Sequence, residues 1–289
     1  MEKQVILVTG SSGQLGKELQ QLADDYPQYR FVFASRDDLK LEVFGLVENF
    51  FIATKPQYCI NCAAYTAVDK AESEEDLAML VNGEAVGNLA EICKKYQTKF
   101  IHISTDYVFE GESETPYKED DTTGPINTYG RSKLLGEQLC MKENAEAIII
   151  RTAWVYSSFG NNFVKTMMRL MNERNEINVV ADQVGSPTYA ADLAKAMLNI
   201  ISSGKWEAGI YHYSNEGRIS WHEFALTIKE ITGSKAIVHP IETAQYPTPA
   251  KRPHYSLLNK AKIKSIYSVK VPEWKESLQT CIAKLQEAP

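Results

Sequence analysis

Between residues 104 and 133 the chain runs STDYVF, a polar loop and then TYGRSK, bringing two hydroxyls, a phenol and an ammonium into one short stretch. An apolar strand over residues 100–103 delivers Ser104 and Thr105 at its carboxyl end. Tyr129 and Lys133 are four apart and share one face of the helix expected to follow. A free phenol titrates near ~10, too high for efficient proton transfer at neutral pH, and a fixed ammonium beside it favours phenolate and lowers that value. Hydroxyl, tuned phenol and ammonium together suit reduction of a carbonyl. Strand residues alternate in direction, so only one of Ser104 and Thr105 can face a substrate. A solvated helix carrying an incidental Tyr and Lys would show the same spacing, so the upstream elements must decide.

Residues 5–8 are wholly apolar and β-branched in part, as in a central parallel strand covered on both faces. The run TGSSGQLG follows, and Gly10, Gly13 and Gly16 open an amphipathic helix over residues 14–23. Backbone amides at that helix start can meet a pyrophosphate without interference from Cβ atoms, and Ser12, Gln14 and Leu15 belong to the same cofactor-binding turn. The spacing G-x-x-G-x-x-G is similar to that of extended short-chain dehydrogenases/reductases. The second strand, residues 30–34, ends in Ser35-Arg36-Asp37-Asp38-Leu39. Ser35 stands where an acid would select NAD, and the Arg36 guanidinium can grip a 2′-phosphate bidentately. NADPH is the expected cofactor, with NADH a weaker substitute.

Residues 43–54 read as a helix and residues 58–61 as the third strand. Its exit, including Ala63, Ala64 and Tyr65, is small enough to pass along a nicotinamide ribose. A helix is expected over residues 77–96, with Asn82 as a structural satisfier of buried polar groups. The order β-α-β-α-β-α-β implies an α/β fold with a doubly wound parallel, Rossmann-like sheet and right-handed crossovers, its site at the strand carboxyl ends. After the strand at residues 147–151 the character changes. Trp154, Tyr156, Asn161, Asn162 and Phe163 offer aromatic faces and amides, and helices are expected over residues 163–172, 189–203, 220–231 and 272–287. The expected division is a dinucleotide-binding domain over residues 1–151 and a smaller, mainly substrate-binding domain over residues 152–289, with some later segments returning to the first. Trp154 is placed to stack on a sugar and Arg252 to bind a diphosphate.

Composition sets the outer bounds. The chain has 289 residues, 44% apolar and 24% charged, enough to bury a large core. No apolar run approaches the roughly 18 residues needed to span a bilayer, and Met1-Glu2-Lys3-Gln4 leads straight into a strand, so a cytoplasmic protein is expected with no membrane partner. The net charge of -6 comes without a basic run, which argues against nucleic acid as a partner. Five cysteines at this size argue against a disulfide framework. Cys59 and Cys62 form a C-x-x-C but read as small buried hydrophobes at a strand exit. His102, His212, His222, His239 and His254 lack ligand spacing, as do Glu18 and Asp192, and no metal ligand is assigned.

The segments NCAAYTAVDKAES, STDYVFEG, YGRSKLLGE, RTAWVYSSFGNNFVKTM, DQVGSPTYAADLA and YPTPAKRPHYSLLN occur in order along nearly the whole chain. Together they resemble the dTDP-4-dehydrorhamnose reductase family. The resemblance implies Thr105, Tyr129 and Lys133 as catalytic residues: Tyr129 the general acid, Thr105 a donor to the carbonyl, Lys133 the cation that lowers the phenol and holds the ribose. It implies Asp38 and Leu39 beside the adenine, and a dTDP-sugar in contact with Val68, Thr105, Asp106, Tyr107, Tyr129, Trp154, Asn162 and Arg252. The implied reaction is NADPH-dependent reduction of the 4-keto group of dTDP-4-dehydrorhamnose to dTDP-L-rhamnose, for cell-surface polysaccharide. Some related reductases are magnesium-linked homodimers, so a homodimer is a further expectation while Mg2+ is not expected. A dehydratase of the superfamily would carry Asp-Glu after the threonine, where this chain has Asp106-Tyr107. A sugar-nucleotide 4-epimerase and a non-catalytic NADP-binding subunit like that of methionine adenosyltransferase are the remaining rivals.

The cofactor reading makes a direct prediction. Arg36→Ala should weaken NADPH binding in a fluorescence titration and leave NADH binding nearly unchanged, because only NADPH presents a 2′-phosphate. Equal losses for both would remove Arg36 from that role.

Overall fold

The computed structural model describes residues 3–287. Met1 and Glu2, which open the lead-in to the first strand, lie outside the described residues, as do Ala288 and Pro289 at the end of the second expected domain. Strand β1 (Gln4–Thr9) has five consecutive buried residues from Val5 onward. Helix α1 (Gln14–Leu22) buries Leu15 and Leu19 on one face. There follow β2 (Tyr29–Ala34), α2 (Phe44–Thr54), β3 (Tyr58–Asn61), a single turn α3 (Val68–Ala71), then α4 (Glu75–Met79) and α5 (Ala85–Lys95) joined by a π-helical turn at Leu80–Glu84. Strand β4 (Lys99–Thr105), helix α6 (Thr128–Glu143) and strand β5 (Ile148–Thr152) complete the first half. The order of the six-stranded sheet is β10-β5-β4-β3-β1-β2, with β10 being Gly209–His212, and every neighbouring pair is parallel. The strand order reverses between β1 and β3, so a crevice opens at their carboxyl ends, where doubly wound sheets bind ligands.

Alternation along the strands feeds two cores. Ile6, Val8, Ile101, Ile148 and Ile150 pack on one face with Leu15 and Leu19 of α1 and with Leu193 and Met197 of helix α8 (Ala190–Ser202). Leu7, Phe100 and Ile149 pack on the other with Val47 and Phe51 of α2, Val86 and Leu89 of α5, and Cys140 of α6. Burial of this kind contributes about 25 cal/mol per Å² of apolar surface removed from water.

The rest of the chain builds a second lobe around Tyr156, Val164, Met167, Phe224, Ile228, Trp274 and Leu278. Its elements are β6 (Val155–Tyr156), α7 (Phe163–Glu173), β7 (Glu176–Val180), β8 (Val184–Gly185), β9 (Thr188–Tyr189), β11 (Ile219–Ser220), α9 (Trp221–Thr232), β12 (Ile237–Ile241) and α11 (Trp274–Glu287), with α10 (Ala261–Tyr267) between the last two. Not all of this half stays in the lobe: β10 pairs with β5 of the large sheet, α8 packs on α1, and Ile263 and Tyr267 of α10 join the core beneath.

One helix departs from expectation. The stretch expected as a regular helix over residues 77–96 starts at Glu75 and is interrupted by the π turn. The turn carries Asn82, fully buried, whose Oδ1 accepts from Tyr65 N at 2.8 Å while its Nδ2 donates to Tyr65 O and Ser132 Oγ, both at 3.0 Å. One side chain thus satisfies the strand-exit backbone and ties it to α6, and π turns tend to occur where such re-aiming is needed. A Cβ added at Gly136 of α6 would lie 2.1 Å from the Asn82 carbonyl oxygen. Gly136→Ala should therefore push α6 away from the π turn and lower stability by about 1–3 kcal/mol, readable as a lower Tm. An unchanged Tm would mean that this contact is slack.

Candidate active site

A cavity of about 600 Å³ lies along the carboxyl ends of β1, β3, β4 and β5. At one end stands the glycine turn. Gly10 has φ +64°, and a Cβ there would sit 2.5 Å from Ala63 N, so the exits of β1 and β3 can approach only through glycine. Gly16 faces inward instead, where an added Cβ would lie 2.5 Å from Ser11 Cα, and serves helix packing rather than the cavity wall. Gly13 caps α1 with no side-chain hydrogen bond to the first-turn amides. Those amides are available to an anion, as a pyrophosphate requires. Gly10, Ser12, Gly13, Gln14 and Leu15 all line the cavity, followed by Ala63, Ala64, Tyr65 and Val68. The donor set and the glycine cradle fit a dinucleotide.

The turn after β2, expected to meet a 2′-phosphate, is placed only partly as expected. Arg36 and Leu39 reach the wall. Arg36 is 68% exposed and donates to Glu42 Oε1 at 2.7 Å, and Glu42 and Leu41 also line the cavity, which nothing in the sequence indicated. Ser35 and Asp38 do not form the wall. Asp38 turns back to accept from Ser35 N at 2.9 Å and Ser35 Oγ at 2.6 Å, closing the turn that presents Arg36. These hydrogen bonds hold the Asp38 carboxyl below its ordinary value.

At the other end Thr105, Tyr129 and Lys133 line the same cavity. Thr105 ends β4 and caps the short turn Asp106–Val108: its Oγ1 accepts from Tyr107 N at 3.2 Å and donates to Asp106 Oδ1 at 2.9 Å. Ser104 also borders the cavity, but its hydroxyl is buried without a hydrogen-bond partner. Tyr129 stands in the first turn of α6, capped by Asn127, whose Oδ1 accepts from Gly130 N at 2.7 Å. Its ring meets Tyr107 edge to face, centroids 5.6 Å apart. Lys133, 2% exposed, donates to Ile103 O at 2.7 Å.

The electrostatics correct one expectation. Burial pushes the Tyr129 phenol up to about 12; a hydrogen bond with Thr105 pulls the other way and Asp106 adds to the rise. Lys133 was expected to lower the phenol, but the shift is set by burial, Thr105 and Asp106, and Lys133 itself is brought down to about 8 by burial, against the pull of Glu137 and Cys140. The phenol therefore keeps its proton at neutral pH, which suits an acid that must deliver one. Asp106, also lining the cavity, is pushed up to about 6 by burial, with hydrogen bonds from Ser256 and Thr105 opposing.

Two further residues expected at the substrate are engaged by other side chains. Asn162 is the cap of α7, its Oδ1 accepting from Lys165 N and its Nδ2 donating to Gln14 Oε1 at 2.9 Å and Ser157 O at 2.7 Å; Gly160 and Asn161 line the cavity in its place. Arg252 does not line it either. It makes a two-pronged pair with Asp69, both contacts 2.9 Å, and donates to Thr248 Oγ1 at 2.7 Å, tying that loop to α3. Trp154 does reach the wall, at φ +48°, with one face of its indole taken by Trp221 at 3.6 Å between centroids. A non-glycine residue held in that region stores strain, a pattern that recurs at functional sites. Cys62 borders the cavity with its thiol pushed up by burial, and all five cysteines are free.

The chain matches the family model described as the RmlD substrate binding domain over residues 3–287. It is 42% identical over 286 residues to the dTDP-4-dehydrorhamnose reductase of Sinorhizobium fredii, covering 96% of each. It is 39% identical over 275 residues to a spore coat polysaccharide biosynthesis protein of Bacillus subtilis, covering 95% of each. The crystal structure of dTDP-4-dehydrorhamnose reductase from Bacillus anthracis in complex with NADP is similar at TM-score 0.94 and 39% identity, over 98% of this chain and 100% of that one.

The raised Asp106 carboxyl has a stability consequence of definite sign. Its folded value lies above the ordinary 3.8, so the native state binds the extra proton and stability falls as pH rises from about 4 to about 6. Asp106→Asn removes that loss. The variant's Tm should exceed the wild-type Tm by more at pH 8 than at pH 3.5; a difference independent of pH would mean that Asp106 is not held above its ordinary range.

Proposed function

The chain belongs to the dTDP-4-dehydrorhamnose reductase family, and from that premise we propose how its own residues carry out the reaction. It is an NADPH-dependent oxidoreductase that reduces the 4-keto group of dTDP-4-dehydrorhamnose to give dTDP-L-rhamnose for polysaccharide. Neither a 4-epimerase nor a non-catalytic subunit matches the names its relatives carry. One observation carries the assignment of residues: a single cavity runs from the uncapped start of α1 to the Thr105 and Tyr129 hydroxyls.

NADPH, when bound, supplies the hydride. Gly10, Ser12, Gly13, Gln14 and Leu15 hold its pyrophosphate end, Arg36 and Leu39 its adenosine end, and Ala63, Ala64 and Tyr65 the ribose nearest the reaction. Glu42 keeps Arg36 oriented through its ion pair until a 2′-phosphate competes for the guanidinium. As hydride adds to the carbonyl carbon, negative charge gathers on oxygen. Thr105 donates to that oxygen and Tyr129 protonates it, so both stabilise the transition state more than the ground state. Lys133 stands behind Tyr129 as a buried cation near its titration point. Val68, Asp106, Tyr107 and Trp154 border the space left for the sugar of a dTDP-substrate, whereas the commitments of Asn162 and Arg252 leave them supporting roles.

No described helix is long and apolar enough to cross a membrane. A cytoplasmic setting and pairing of two copies belong to the same proposal; the five free thiols support a reducing compartment.

Incubation with NADPH and a dTDP-4-keto-6-deoxy sugar should oxidise NADPH stoichiometrically with the new hydroxyl; no net oxidation would contradict reduction. Tyr129→Phe keeps the ring against Tyr107 and removes the proton. Its single-turnover rate should fall by on the order of 10²–10⁴ with NADPH affinity little changed. A near-normal rate would displace Tyr129 as the acid.

A further inference from the structure

Beneath the catalytic stretch a row of polar side chains crosses three strands of the sheet. Thr9, Asn61 and His102 are lateral partners in register on β1, β3 and β4. Thr9 is 1% exposed and the other two are fully buried. Thr9 Oγ1 donates to Asn61 Oδ1 at 2.7 Å, Asn61 Nδ2 lies 3.1 Å from His102 Nδ1, and His102 Nε2 lies 3.4 Å from Lys133 Nζ. Three apolar residues would fill that row without a hydrogen-bonding requirement, whereas a buried polar row is costly where a member is left unpaired.

The row has one consistent proton arrangement. Ala63 N also donates to Asn61 Oδ1, at 3.1 Å, and a backbone N–H can only donate. The Asn61 oxygen is thereby fixed, and its amide nitrogen must donate to His102 Nδ1. An imidazole that accepts at Nδ1 carries its proton on Nε2. An imidazolium would set N–H against N–H. The Nε2 proton then points at Lys133.

We propose that His102 is a positioning residue of the reductase: a neutral imidazole, locked by Thr9 and Asn61 with its proton on Nε2, that turns a donor toward Lys133 and so directs the lysine protons to Ile103 O and the cavity. This rests on the reading of Lys133 given above. A donor facing Lys133 opposes the ammonium and accommodates the neutral amine, whose lone pair can accept. The titration behaviour agrees: burial and the nearby Lys133 hold His102 well below its ordinary value. The groups acting on Lys133 from its own helix are Glu137 and Cys140, and Glu137 is already paired with Arg151 by contacts of 2.9 and 2.7 Å. His102 is the titratable group facing it from β4. The row also joins the two ends of the site, since Thr9 precedes Gly10 and Asn61 holds the backbone at Ala63.

The full chain with 15N-labelled histidine tests this directly. At pH 7 the His102 ring should show a protonated Nε2 and an unprotonated Nδ1. A protonated Nδ1, alone or with Nε2, overturns the proposal and leaves the reductase reading untouched, because this readout does not depend on activity. Asn61→Asp replaces the donor with an acceptor, which draws the proton to Nδ1 and turns Nε2 into an acceptor for the ammonium. In the folded variant the alkaline limb of kcat should move up by about one pH unit, the size expected from a new favourable charge contact. An unmoved limb in a folded Asn61→Asp protein also overturns it. Should that variant not fold, the wild-type ring spectrum alone decides.

Discussion

The site depends on how closely α6 is pressed against the carboxyl end of the sheet. A Cβ at Gly130 would lie 2.2 Å from Tyr107 O, and one at Gly136 2.1 Å from Asn82 O, so backbone meets backbone at both ends of the segment carrying Tyr129 and Lys133. One residue beyond Gly136, Glu137 pairs with Arg151, each side chain 3% exposed, and anchors the same helix to β5. Isolated buried pairs are weak sources of stability, but losing one partner strands a charge, so the pair fixes position. With α6 so placed, Lys133 reaches the Ile103 carbonyl and Tyr129 comes to Thr105.

That placement sets the protonation states. Burial acts in opposite directions on the two groups, raising the phenol and lowering the ammonium. A phenol that retains its proton in the same cavity as a lysine that can lose one suits delivery of a proton to a substrate oxygen. Asp106 extends the same logic, since its contact with the Thr105 hydroxyl connects the donor to a carboxyl that burial brings toward neutrality.

Much of this was legible in the sequence, for identifiable reasons. Glycine spacing after an apolar strand reports backbone approach, and Gly10 and Gly13 stand where that spacing put them. The pair Tyr129 and Lys133 was legible because helical periodicity is local. What escaped was set by partners distant in sequence. The Asp69 partner of Arg252 lies 183 residues away and could not be seen in the sequence. The cap role of Asn162 and its bond to Gln14 appear only once α7 meets α1. The sign of the Tyr129 shift was misjudged because desolvation depends on burial, which spacing does not reveal. Strand β10 was missed because its four residues gain their place only by pairing with β5. The row Thr9, Asn61 and His102 needs the register of three strands, so no single stretch announces it.

The account's central claim is that Tyr129 holds its proton until the substrate oxygen takes it. Tyrosine labelled with 13C at the ring carbon bearing the hydroxyl, with Tyr129 assigned by comparison with Tyr129→Phe, reports that proton across a pH titration. The account predicts that the Tyr129 signal remains that of the neutral phenol through pH 9, in keeping with a value pushed up to about 12. A Tyr129 signal that moves to the phenolate position below pH 8 would contradict it.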